Sequence, residues 1–198
     1  MNAIVSKPWV LARVYEPDVT IVDCRFELGR PKPEKRAYER AYPPGLFTSI
    51  WRKIFLPQCA SMAAASLPDP EELSRTLAKN GITPETRIIA YDDQGGMYAS
   101  RLWWLLKYLG HGQAFVMNEG FSAWKAAGYP VTADQPIRVP ASYSYTLHPE
   151  LLASMEDVRR AAAGQDDAIV IDSRDPRRYQ GFDETMDPVA GHVPGAKK

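Results

Sequence analysis

The chain has 198 residues, room for one large domain or two small ones, and its 45% hydrophobic and 24% charged content is that of an ordinary soluble globular protein. Lys+Arg and Asp+Glu both count 24, so no excess charge points to nucleic acid or to an anionic membrane. No apolar run reaches the roughly 18–20 residues that span a bilayer, the opening M-N-A-I-V-S-K-P-W has no signal-peptide pattern, and a cytoplasmic chain is expected. Two cysteines, Cys24 and Cys59, make neither a disulfide framework nor a metal spacing.

The first predicted strand is Val19–Cys24, an apolar run that suits a strand buried on both faces. A helix follows over Asp69–Asn80, with acids in its first turn, a stop at Gly81, and Leu73 and Leu77 on one face. Thr86–Tyr91 is a second buried strand, and the turn Asp92-Asp93-Gln94-Gly95-Gly96 leads into an apolar helix over Met97–Leu109. Ala114–Met117 is a third strand and Phe121–Ala127 a short helix stopped by Gly128. Residues 134–150, rich in proline, read as a linker. Beyond it come a helix over Ser154–Ala163, a strand over Ala168–Asp172 and a basic turn at Arg177–Gly181. Strands and helices in alternation predict an α/β fold with a parallel sheet.

The chain repeats itself. T-I-V-D-C-R at Thr20–Arg25 returns as A-I-V-I-D-S-R at Ala168–Arg174, and the turn Pro43–Gly45 returns as G-H-V-P-G at Gly191–Gly195. A register of about 150 residues implies two copies of one domain, the second stopping three residues past its turn.

The loop Asp92–Gly96 sits where open α/β sheets bind ligands, beyond the carboxyl end of a strand. Its glycines let amides converge on an anion; the blander reading is a capped helix start. V-D-C-R at Val22–Arg25, A-Y-D-D-Q-G-G at Ala90–Gly96, R-L-W-W-L-L at Arg101–Leu106, G-F-S-A-W-K-A-A-G at Gly120–Gly128 and D-S-R…R-Y-x-G…G-H-V-P-G at Asp172–Gly195 stand in one order. In that order they resemble the tandem-domain rhodaneses, thiosulfate or 3-mercaptopyruvate sulfurtransferases.

The resemblance implies a rhodanese-like three-layer domain with a central parallel sheet over residues 5–133, a non-catalytic copy. After the linker, residues 151–198 would be the amino-terminal part of a second domain, truncated. It implies a loop cysteine that becomes a persulfide, its thiolate favoured by amides and a helix N-terminus. Asp92 occupies that position in the first copy, and a carboxylate cannot carry sulfane sulfur. Adding the repeat register to Asp92 puts the second loop at about position 240, past Lys198. No catalytic residue is therefore assigned, and the chain is expected to be inactive alone. Arg178, matching the arginine of the R-Y-x-G turn, is the expected binder of a small anionic sulfur donor, since a guanidinium is a rigid fork of donors. No cofactor, metal, nucleic-acid or membrane partner is implied.

The alternative function is a non-catalytic rhodanese-like module that binds an anion or a protein. A third, an unrelated enzyme with Asp92 as nucleophile, lacks a second catalytic acid at a matching strand end. Cys24 is expected to fill the core, His111 to place an imidazole at a helix C-terminus, where it helps the helix dipole, His192 to make a structural hydrogen bond, and Trp103 and Trp104 to fill the core. Leu46–Ser66 departs from the family pattern. Codons can be chosen for Leu46–Ala65 that, read one nucleotide earlier, give A-V-Y-F-D-L-E-K-D-L-S-A-P-V-R-Q-H-G-G-R, close to the family's own text; this points to paired compensating frameshifts that make Cys59 accidental, the alternative being a divergent loop.

Overall fold

The computed structural model describes residues 2–25, 43–44, 46–47, 67–134, 137–185 and 187–198. The described residues fall into two compact units, the first ending at His148 and the second comprising Leu67 and Pro149–Lys198.

In the first unit five strands form one parallel sheet: β1 (Ile4–Val5), β2 (Val19–Asp23), β3 (Leu46–Phe47), β4 (Arg87–Tyr91) and β5 (Ala114–Met117), in the order β1-β5-β4-β2-β3. β2 lies at the centre, with Ile21 opposite Ile89 on one side and opposite Leu46 on the other. Every residue of β2 is buried, as its near-continuous apolar run predicts. The helices are α1 (Lys7–Leu11), α2 (Pro70–Lys79), α3 (Met97–Tyr108) and α4 (Phe121–Ala126). Val10 from α1 and Phe121 and Trp124 from α4 join Ile21, Ile89, Tyr91, Phe115 and Met117 in one core cluster. Helix α3 lies against β4 and β5, and its buried Leu102, Leu105 and Leu106 belong to a separate part of the core. The sheet is thus covered on both faces, as parallel sheets require.

In the first unit the expected elements fall where the sequence places them, within two residues at their ends. Helix α2 is capped by Asp69, whose side chain accepts from the Glu71 N–H, and Leu73 and Leu77 are both buried. Elements β1, α1 and β3 are additional to those expected. Residues 48–66, with Cys59 and nearly all of the segment read as frameshifted, lie outside the described residues. Trp103 and Trp104 are half-buried rather than core-filling: the first donates to the Ala114 carbonyl at 3.1 Å, and the second stacks on Tyr108.

Residues 138–148 run extended along the first unit. Their N–H groups serve carbonyls that helices leave orphaned at their C-termini: Ala141 donates to Ala78, Thr146 to Leu109 and His148 to Tyr108. Buried His111 fastens the same strap. Its Nε2 donates to the Thr86 carbonyl at 2.8 Å, which leaves Nδ1 to accept from the Tyr143 hydroxyl at 2.9 Å. Burial lowers its pKa, and at its place after Gly110 the imidazole bridges the Thr86 carbonyl and the Tyr143 hydroxyl.

The second unit holds a 3-10 turn (Pro149–Leu151), α5 (Met155–Ala162) and α6 (Pro176–Tyr179). Ala168–Asp172, expected as a strand, contributes a single parallel bridge, Ile171 to Lys197. It has one neighbour where β2 has two, and Ile169 and Ile171 stay 71% exposed. Gly195 closes the turn at φ +82°, and a Cβ there would stand 2.5 Å from the Ala162 carbonyl oxygen at the end of α5.

The two units share three local features. Ser6 and Ser154 each cap a helix by accepting from the N–H three residues on. Asp23 binds Arg25 through one backbone and several guanidinium hydrogen bonds, and Asp172 binds Arg174 in the same way. The Ile171–Lys197 bridge takes the place that Val22–Phe47 has between β2 and β3.

Candidate functional site

The loop after β4 turns on Gly95 and Gly96, both at positive φ, and aims its amides inward. Their target is the chain's own Asp92. Its Oδ1 accepts from the N–H groups of Gln94 at 2.9 Å and Gly96 at 2.8 Å. Its Oδ2 accepts from Tyr98 and Ala99, both at 2.9 Å. The last two are free donors of the first turn of α3, so one carboxylate caps the helix and fills the loop. Asp92 is 3% exposed. The capped helix start and the anion-cradling loop are here one structure, and its occupant is covalently attached.

Asp93 turns the other way and caps α4, accepting from the Ser122 N–H at 2.8 Å and from the Ser122 hydroxyl at 3.2 Å. The approach is possible because Gly120 has no side chain: a Cβ would stand 2.6 Å from the Asp92 carbonyl oxygen and collide with Asp93 Oδ1. Beside the loop lies a cavity of about 410 Å³ whose lining includes Ile4, Gly96, Met97, Ser100, Trp103 and Asn118. Among the described residues no ionisable side chain lines it, and Asp92 does not reach it. A phosphoaspartyl role for Asp92 therefore has no exposed oxygen.

Cys24 lies below the loop, at the end of β2. It is fully buried, and its N–H donates to the Tyr91 carbonyl at 2.8 Å. Burial, reinforced by the carboxylates of Asp23 and Asp92, pushes its thiol pKa well up. A reactive cysteine needs the opposite, an exposed position and a stabilised thiolate. Arg25 packs its guanidinium 4.3 Å from the Phe121 ring centre while bound to Asp23. That arginine is committed to structure.

In the second unit Arg178 lies on α6 and is held by acids that follow it in sequence. Its Nε and Nη2 donate to Glu184 Oε2 and Oε1 at 3.2 and 3.0 Å, and Nη2 also donates to Asp187 Oδ2 at 2.9 Å. Arg174 reaches the same Asp187 oxygen through Nη1 at 3.2 Å. These acids stand six and nine residues beyond Arg178 (F-D-E-T-M-D), a signal visible in the sequence but not read from it. Arg178 and Asp92 belong to different units, each with its own local network. His192 makes the expected structural contacts: Nδ1 is 2.8 Å from the Tyr179 carbonyl oxygen, and the two rings stack. Among the described residues no three His, Cys, Asp or Glu side chains form a metal-holding group, and no helix is long and apolar enough to cross a membrane.

Residues 6–127 match the family model for the rhodanese-like domain. A probable 3-mercaptopyruvate sulfurtransferase of Pseudomonas aeruginosa is 35% identical over 189 residues, 94% of this chain and 66% of that protein. The thiosulfate sulfurtransferase of Bos taurus is 30% identical over 98% of this chain and 68% of its own length. This chain thus spans about two thirds of the length of these relatives. The solved structure of SseA from Escherichia coli shares the fold with a TM-score of 0.77, at 22% identity, over 99% of this chain and 74% of that one. The parallel sheet, the glycine turn after β4 and the match over residues 6–127 agree, and the chain belongs to the rhodanese-like domain family.

Proposed function

We propose that this chain serves sulfur transfer of the rhodanese kind, from thiosulfate or 3-mercaptopyruvate to a thiophilic acceptor, and that it does not itself carry the sulfur-bearing cysteine. In such a reaction a thiolate attacks the donor's transferable sulfur. With thiosulfate the S–S bond breaks, sulfite leaves, and a persulfide forms on the cysteine. An acceptor then takes the outer sulfur and restores the thiolate. The loop that would hold such a group, with its ring of amides at a helix N-terminus, is filled in the first unit by Asp92. That single observation carries the reading: four N–H groups at 2.8–2.9 Å already serve one carboxylate. Cys24 offers no substitute, being fully buried and held as a thiol.

In this reading the first unit is scaffold, and the second brings Arg178 for the anionic part of the donor. A module that binds an anion without turning it over is the second reading, favoured by the same carboxylate-bearing arginine pair. The test is to offer the purified chain thiosulfate and cyanide and follow thiocyanate. The expected rate is background. Turnover that thiol alkylation abolishes would overturn the proposal.

A further inference from the structure

Resting on the reading that Arg178 receives the donor's anionic group, we propose that Asp187 is a built-in competitor for that group. Its Oδ2 marks a seat for one anion oxygen shared by Arg178 and Arg174. The same oxygen accepts from Arg178 Nη2 at 2.9 Å and from Arg174 Nη1 at 3.2 Å, so two guanidiniums from different turns converge on one point. Each arginine is anchored elsewhere. Glu184 grips Arg178 through both carboxylate oxygens, and also accepts the Asp187 N–H at 2.8 Å. Asp172 and the Gly191 carbonyl, the latter at 2.6 Å, hold Arg174. Removing the Asp187 side chain from the seat therefore leaves both forks in place, aimed at the vacated position.

The two acids differ in how readily they can leave. The Glu184 side chain is 4% exposed and engages both its oxygens. The Asp187 side chain is 30% exposed, and a single oxygen makes its contacts with the arginines. Asp187 also lines a cavity of about 470 Å³ together with Asp172, Arg174 and residues 188–193, whereas Arg178 does not line it. An anion entering there meets Arg174 and Asp187 first, and reaches Arg178 only as Asp187 turns outward. An oxyanion of thiosulfate suits the vacated seat because guanidinium forks bind such oxygens by charge-assisted hydrogen bonds. Arg174 is thereby a second anion ligand and Asp187 sets the affinity. A seat occupied by its own carboxylate lowers apparent affinity by the fraction of time it stands open.

Calorimetric titration of thiosulfate at low ionic strength, into the full chain and into its Asp187→Asn and Arg178→Lys forms, tests this. Asp187→Asn is expected to bind about tenfold tighter than the parent, as for a seat open roughly one tenth of the time. Adding Arg178→Lys or Arg174→Lys to it should remove the gain. If Asp187→Asn binds no tighter while Arg178→Lys still weakens binding, the competitor role falls and that of Arg178 stands. Thiosulfate binding indifferent to Arg178→Lys in both backgrounds removes the underlying reading as well. Circular dichroism checks each fold, and Asp187→Ser makes the same comparison if the amide variant unfolds.

Discussion

Asp92 shows how one residue decides what a loop can do. Buried donors left without a partner cost about 1–3 kcal/mol each, and solvent or a small ion offsets part of that. Asp92→Ala is therefore expected to lose roughly 3 kcal/mol of stability, measured by urea denaturation. Formate, a carboxylate small enough for the vacated space, should restore part of it; an equal loss with and without formate would show that the amides were not the issue. His111 belongs to the same scale. Its folded-state pKa lies below the ordinary 6.5 because it is buried, so the unfolded chain binds a proton that the folded chain refuses. The resulting stability is complete above 6.5 and is lost as pH falls from there through the folded value. Facing it are Lys107, Glu85 and Tyr143. Denaturation at pH 7.5 and 5.5 should show the parent weaker at 5.5, with His111→Gln flattening the difference. Of these roles the sequence announced Asp92 through its glycines and the Cys24 core position through its apolar run. It hid the His111–Tyr143 bond, whose partners lie 32 residues apart.

Between elements, the turn after β4 and the start of α4 are locked by closeness rather than by special backbone geometry. Gly120 has φ −72°, a value any residue adopts, so its need is for space against Asp92 and Asp93. Gly120→Ala should cost about 1–3 kcal/mol, as overpacking does. Gly112→Ala is the control, since nothing stands within 4 Å of its Cβ position; equal losses at both sites would refute the steric argument. Helices α2 and α3 were legible because caps, stops and apolar faces are local. Strand β1 and helix α1 were not, although Ser6 before a proline-bearing turn is a start signal. Ala168–Asp172 reads as a strand from its composition yet makes one bridge, because a strand is completed by its neighbours and not by its own residues.

At the scale of the whole molecule the two units share serine caps, Asp-x-Arg clasps and parallel bridges. The two units are unequally built. The first has a sheet covered on both faces, whereas in the second Ala196 is the one fully buried apolar residue among those described. Chemistry divides along the same line: an anion loop filled by Asp92 in the first unit, an arginine pair closed by Asp187 in the second. What matters most is whether this polypeptide can hold transferable sulfur. Intact-mass spectrometry after incubation with thiosulfate, and separately with 3-mercaptopyruvate, measures that directly. The predicted result is an unchanged mass, with Cys24 alkylated only after denaturation. A gain of one sulfur atom, mapped to Cys24 or Cys59 by digestion of the folded protein, would contradict it.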